Sequence, residues 1–342
     1  MSDLAARAAG VSVAAAVPMA VDPTPAVLTD IAPVSAGLTS WRDYLELTKP
    51  RVVLLMLLCS LAGMLLATPG WVPVDILVFG NLGIALVAAS AAVVNHIADA
   101  AIDVRMARTQ NRPMATGRLP YRRAVAFSAA LGIVGMTILF TMVNALTAWL
   151  NLASWVGYGL VYTLYLKRAT PQNIVIGGIF GAAPPLFGWA AVTNSVEPGA
   201  LLLVLIIFAW TPPHFWALAL DRKDEYAKAD IPMLPITHGV RYTQWQILYY
   251  TLLLIACTLL PVAIQMSGVL YLFAALALGA GFLYWCIALL RGRNPRAAIE
   301  TFRYSILYLG LLFVALLADH YLIPSAASMA ARPPIEMLPG AI

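Results

Sequence analysis

A chain of 342 residues with 61% hydrophobic and only 11% charged residues is not an ordinary soluble domain. Its net charge of +5 sits in clusters between long apolar runs, so the basic excess sets membrane topology and no nucleic-acid partner is expected. The three cysteines, Cys59, Cys257 and Cys286, stand singly inside apolar runs, with neither metal-ligand spacing nor the pattern of a disulfide framework.

Residues 1–40 are rich in Ala, Val, Pro and Thr without helical periodicity, which predicts a disordered cytoplasmic extension. Arg7 offers only a thin positive region, and Asp3 and Asp22 interrupt any signal-peptide pattern. Nine apolar runs of bilayer length follow: Val52 to Thr68, Ile76 to Asn95, Ala124 to Met142, Ala145 to Tyr165, Ile174 to Thr193, Leu201 to Leu220, Ile247 to Met266, Val269 to Leu290 and Ile306 to Ile323. The fold class is therefore all-α, a polytopic nine-helix bundle over residues 41–325, with a short tail at 326–342. There is no short-period repeat, and no P-loop or dinucleotide fingerprint.

Cations fall in alternate connections. Arg42, Lys49 and Arg51 precede the first span, and Arg105, Arg108, Arg112, Arg118, Arg122 and Arg123 lie between the second and third. Lys167 and Arg168 follow the fourth, Arg222, Lys223, Lys228 and Arg241 the sixth, and Arg291, Arg293, Arg296 and Arg303 the eighth. The positive-inside rule puts these loops and the N-terminus in the cytoplasm and the C-terminus outside, as an odd number of spans requires.

The second span ends in NHIADAAID, which spaces Asn95, Asp99 and Asp103 four residues apart. On a helix each step of four turns the side chain by only about 40°, so the three oxygen-bearing groups share one face and can serve a hard cation. A second acidic group, Asp221, Asp224 and Glu225, follows the sixth span on the same predicted side. Either cluster alone could merely solvate a helix end. Two on one face among basic residues suggest paired magnesium ions bridging a diphosphate, with Arg105, Arg108, Arg112, Lys167, Arg168 and Lys223 holding phosphate oxygens.

The stretch NHIADAAIDVRMARTQNRPMATGRLP resembles the first aspartate-rich motif of the UbiA-type intramembrane prenyltransferases, and its RT-x-x-RP-x-x-x-G continuation resembles the branch that farnesylates heme b. LTKPRVV, YTLYLKRATPQNIVIGGIFGAAPPLFGW, WTPPHFWALAL and IPMLP agree with it, so the resemblance runs from about residue 41 to 325. It implies a nine-helix bundle with a central cavity capped by cytoplasmic loops, in a bacterial inner membrane. It also implies transfer of farnesyl from farnesyl diphosphate to a vinyl group of heme b, with water added, to give heme O.

By the same resemblance Asn95, Asp99 and Asp103 hold Mg2+ and act in catalysis with Arg112 and Lys167, and Asp221, Asp224 and Glu225 are second-cluster ligands. The family usually has Asp before the Tyr of its second motif, whereas Glu225 precedes Tyr226 here, which leaves the choice among those three acids open. His214 and then His96 are the candidates to contact heme. Tyr162, Tyr165, Trp210, Phe215 and Trp216 could wall in an allylic cation. Membrane lipid, heme A synthase and oxidase assembly factors are the expected partners. Prenylation of a quinone precursor such as 4-hydroxybenzoate, or transport, are the alternatives.

Overall fold

The computed structural model describes residues 39–104, 109–229, 231–292 and 294–322, and every regular element among them is helical. A short helix, Trp41–Leu47, comes first. Ser40 starts it with a capping box in which its own N–H donates to Asp43 Oδ2 at 2.8 Å. The chain then turns through Lys49, whose φ of 49° is left-handed, and Pro50 opens the first span, Pro50–Leu66, at 49° to the short helix. Proline suits that first position because its missing N–H would have no partner there.

The second span is Ile76–Asp103 and the third Tyr121–Val143. The fourth joins Ala145–Trp155 to a π-helical stretch, Val156–Leu166, which passes directly into Lys167–Ala169. The fifth, Asn173–Thr193, is interrupted at Ala183 before Pro184 and Pro185, and the sixth is Pro198–Asp221. Short helices Lys223–Lys228 and Leu234–Thr237 lead to the seventh, eighth and ninth spans, Val240–Ala263, Val269–Arg291 and Ala297–Leu322.

All nine predicted spans thus have helical counterparts among the described residues. Seven are individually long and apolar enough to cross a bilayer, and the bent pair at the N-terminal side makes an eighth. The fourth is diluted by Asn151 and by its tryptophans and tyrosines. The chain is an integral membrane protein, and the outward display of Leu54, Leu55, Leu58, Ile133, Phe273 and Val314 fits apolar surroundings. The predicted extension at 1–40, apart from its last two residues, and the tail at 326–342 lie outside the described residues.

The largest buried cluster is built mainly from spans five to nine, with Leu203, Ile206, Trp216, Ile247, Tyr271, Phe282 and Tyr308 at its centre. A second joins spans one to five through Met64, Ile84, Leu139, Ala148 and Phe187. Spans one and five cross backbone to backbone: a Cβ on Gly188 would run into the Ser60 carbonyl, and one on Gly63 into Pro185. Only glycine permits that approach. A third cluster seats Leu47 of the short helix against Val93, Ala100, Met114, Leu119 and Ala124. It anchors the first helix beside the end of the second span, where the acidic stripe lies.

Candidate active site

Asn95, Asp99 and Asp103 lie on one stripe of the second span and are all buried. Each takes a side chain from a different segment. The Lys49 ammonium donates to Asn95 Oδ1, and Asn95 Nδ2 donates to Thr163 Oγ1 at 3.2 Å. Lys167 Nζ donates to Asp99 Oδ2 at 2.7 Å. Arg112 Nη1 lies between both oxygens of Asp103, at 2.9 and 2.8 Å. Charge-assisted bonds of this length are among the stronger polar contacts a protein makes.

Local structure explains how these cations arrive. The left-handed turn at Lys49 carries its side chain beneath the elbow between the first helix and the first span. The π-helical stretch of the fourth span delivers Lys167 at its end, and Asn173 Nδ2 donates to the Lys167 carbonyl at 3.2 Å. Wide π turns recur at functional sites because they displace side chains from the α-helical register. Here they stack Tyr158 on Tyr162, with ring centroids 5.5 Å apart. Both tyrosines lie within electrostatic range of Asp99, and Tyr162 also of Tyr226, which follows Glu225.

Among the described groups on the stripe, three cations face two carboxylates, so the cluster carries one positive charge in excess and suits a polyanion. Burial pushes the Lys49 ammonium down from the usual lysine range to about 8, with Arg112 adding to the effect and Asp99 opposing it. Asp99 Oδ1 and both ring nitrogens of His96 are buried without a hydrogen-bond partner among the described residues. A bare carboxylate oxygen facing no protein donor is a place that a hard cation fits. Among the described residues no three of His, Cys, Asp and Glu gather into a ready metal cage.

The second cluster is looser. Asp221 and Asp224 are exposed, and Glu225 pairs with Arg222 at 3.5 Å. Lys223 is half-buried at the start of its short helix. Arg105 and Arg108, and the side chain of Arg168, lie outside the described residues.

His214 is buried on the sixth span between two rings, 4.1 Å from Trp210 and 4.6 Å from Phe302 by centroid. Its Nδ1 is 2.7 Å from Ser305 Oγ, and that hydroxyl donates to the Phe302 carbonyl at 2.6 Å. The hydroxyl hydrogen being used, Nδ1 must be the donor to Ser305, which leaves the lone pair on Nε2. Trp210 is itself fixed by a 2.7 Å bond from Nε1 to the Ser305 carbonyl. Of the other aromatic candidates Trp216 is fully buried, whereas Phe215 and Tyr165 are exposed.

Arg112, Lys167 and the stripe were legible in the sequence. The sequence assigns Lys49 only a topological part, and Tyr158 and Thr163 carry no signal of their own.

Residues 56–320 match the model of the UbiA prenyltransferase family. The chain is 65% identical over 285 residues to a protoheme IX farnesyltransferase of Saccharophagus degradans, covering 83% of this chain and 94% of that one. It is 64% identical over 290 residues to protoheme IX farnesyltransferase 1 of Pseudomonas putida, covering 85% and 98%. Among solved structures, one from a study of digeranylgeranylglyceryl phosphate synthase superposes with a TM-score of 0.71 at 19% identity, covering 82% of this chain and 99% of that one. A UbiA homolog from Archaeoglobus fulgidus bound to GPP and Mg2+ superposes with a TM-score of 0.57 at 16% identity, covering 80% and 99%. At such identities the likeness is one of fold.

Proposed function

The chain belongs to the UbiA prenyltransferase family, and on that footing we propose how its residues carry out the reaction. It transfers the farnesyl group of farnesyl diphosphate to a vinyl group of heme b, with addition of water, giving heme O and diphosphate. The observation that carries the reading of the site is the pairing of Lys49, Lys167 and Arg112 with Asn95, Asp99 and Asp103.

In this reading the three cations, one charge in excess of the two carboxylates, turn to the oxygens of the diphosphate. Asn95, Asp99 and Asp103 would hold Mg2+, and Asp221, Asp224 or Glu225 would hold a second ion from the loop after the sixth span. A metal held there would supply electrostatic stabilisation of the diphosphate leaving group. Arg105, Arg108, Arg168 and Lys223 complete the cationic rim. Electrostatic stabilisation of this kind usually supplies the largest share of such catalysis.

Tyr158 and Tyr162 face the place where the allylic cation forms, and their ring faces stabilise it while excluding water. Heme b is held on the side of His214, whose Nε2 lone pair addresses the iron or a donor on the porphyrin edge. His96, buried beside Asn95, is the second heme contact. The vinyl group then attacks the farnesyl carbon, and water adds to the cation left on the heme side chain, losing a proton.

Orientation follows the cations: N-terminus and catalytic loops face the cytoplasm, the C-terminus lies outside, and the bacterial inner membrane is the location. Residues 1–40 and 326–342 are appendages to the catalytic bundle, and heme A synthase or an oxidase assembly factor receives the product.

Incubation of the purified protein in detergent with heme b, farnesyl diphosphate and Mg2+, followed by mass spectrometry of extracted heme, tests the assignment. Heme O should accumulate. Unchanged heme with prenylated 4-hydroxybenzoate would overturn the acceptor and keep the metal site.

A further inference from the structure

Two of the three cations on the stripe come from one clasped unit. Lys49 stands two residues beyond the short helix Trp41–Leu47, and Arg112 lies in the loop after the second span. Arg118 ties that loop to that helix. Its Nη1 is 3.2 Å from Asp43 Oδ1, its Nη2 donates to the Asn111 carbonyl at 2.7 Å, and its Nε donates to Thr116 Oγ1 at 3.0 Å. Thr39 Oγ1 donates to the Arg118 carbonyl at 3.0 Å, closing the clasp from the helix side.

The tie continues to the site. The Thr116 hydroxyl that receives Arg118 donates in turn to the Arg112 carbonyl at 3.1 Å, and Thr116 N–H donates to the same carbonyl at 3.0 Å. Gly117, with φ of +70°, makes the tight return that brings Arg118 back over Thr116. Asp43 is buried, and its second oxygen is held by the Ser40 N–H at 2.8 Å, so the carboxylate has little freedom to swing away. Beneath the clasp, Leu47 packs on Met114 and Leu119.

We propose that the Asp43–Arg118 pair is a positioning device that sets Arg112 over Asp103 and Lys49 over Asn95, so that both cations are aimed before the diphosphate arrives. Among the described residues the polar partners of Asp43 and Arg118 are Ser40, Asn111, Thr116 and Thr39 and one another, not the stripe. The pair acts by holding the two segments that reach the stripe, and pre-set geometry of this kind saves the ordering cost that binding would otherwise carry. The inference rests on the diphosphate reading of the stripe given above.

The test uses the full chain in detergent, with two readouts: separate KM values for farnesyl diphosphate and heme b, and calorimetric binding of inorganic diphosphate with Mg2+. Asp43→Asn and Arg118→Met should each weaken diphosphate binding about tenfold and raise the farnesyl diphosphate KM by a similar factor, with the heme KM unchanged. The double variant should be no worse than either single one, because both cut the same tie. Thr39→Val removes one hydroxyl and leaves the fold least disturbed; it should weaken diphosphate binding about twofold, which decides the matter if the charge variants do not accumulate. Unchanged diphosphate affinity in Thr39→Val and in whichever charge variants fold, or equal shifts in both KM values with lowered thermal stability, overturns the proposal. Lys167→Met separates the two levels. If it too leaves diphosphate binding intact, the diphosphate reading fails; if it abolishes binding while the clasp variants keep it, only the clasp fails.

Discussion

Lys167 Nζ lies 2.7 Å from Asp99 Oδ2, while the other oxygen of that carboxylate is buried with no hydrogen-bond partner among the described residues. One half of Asp99 is thus neutralised and the other half left open. A purely structural ion pair would gain by satisfying both oxygens, since an unpaired buried acceptor costs about 1–3 kcal/mol.

Replacing Asp99 by Asn keeps the shape and removes the charge. Turnover should fall on the order of a thousandfold, the scale of losing a main electrostatic group, with folded protein still recovered from the membrane. Activity within a few-fold of the parent would refute a metal-binding part for this residue. Heme extracted from a membrane preparation of each protein reads the difference directly.

Lys49→Met should raise the farnesyl diphosphate KM about tenfold and leave the heme b KM unchanged, because in the proposed site the ammonium serves the phosphate end. Steady-state kinetics with each substrate varied in turn makes the distinction. A shift in the heme KM alone would place Lys49 on the wrong side of the site.

Chelation with EDTA should abolish turnover, and Mg2+ should restore it. Ca2+ should restore much less, because its longer bonds and higher coordination number suit a sparse carboxylate set poorly. Full activity after exhaustive chelation, with metal content checked by mass spectrometry, would remove the metal from the mechanism.

His214→Ala should raise the heme b KM about tenfold with the farnesyl diphosphate KM unmoved. Ser305→Ala, which frees Nδ1 and releases the tautomer, should have a smaller effect in the same direction. Heme titration followed by its absorption bands reports the same contact without turnover. Identical titrations for all three proteins would exclude His214 from the heme site.

Gly188→Val drives a branched side chain into the Ser60 carbonyl on the first span. Overpacking of this kind costs about 1–3 kcal/mol, so thermal unfolding in detergent should come at a clearly lower temperature. An unchanged transition would show that the two spans can separate without loss.

The spans, their number and the acidic stripe belong to the sequence, because each is a local property. Apolar runs of bilayer length, with Lys and Arg in alternate connections, point to helices that satisfy their own backbone groups, and a four-residue repeat of Asn95, Asp99 and Asp103 on a helix shares a face whatever surrounds it. Arg112 and Lys167 were legible too, as the basic residues flanking that stripe and the fourth span. What each cation touches was not. Lys49 is 46 positions from Asn95 and Lys167 is 68 from Asp99, and only the packing of three segments pairs them. The π-helical register that stacks Tyr158 on Tyr162 and the left-handed turn at Lys49 follow from the fit between neighbours, which periodicity cannot express. The same holds for the clasp of Asp43 on Arg118, 75 positions apart: a charge in a basic loop reads as topology until the tertiary structure brings a buried carboxylate to it.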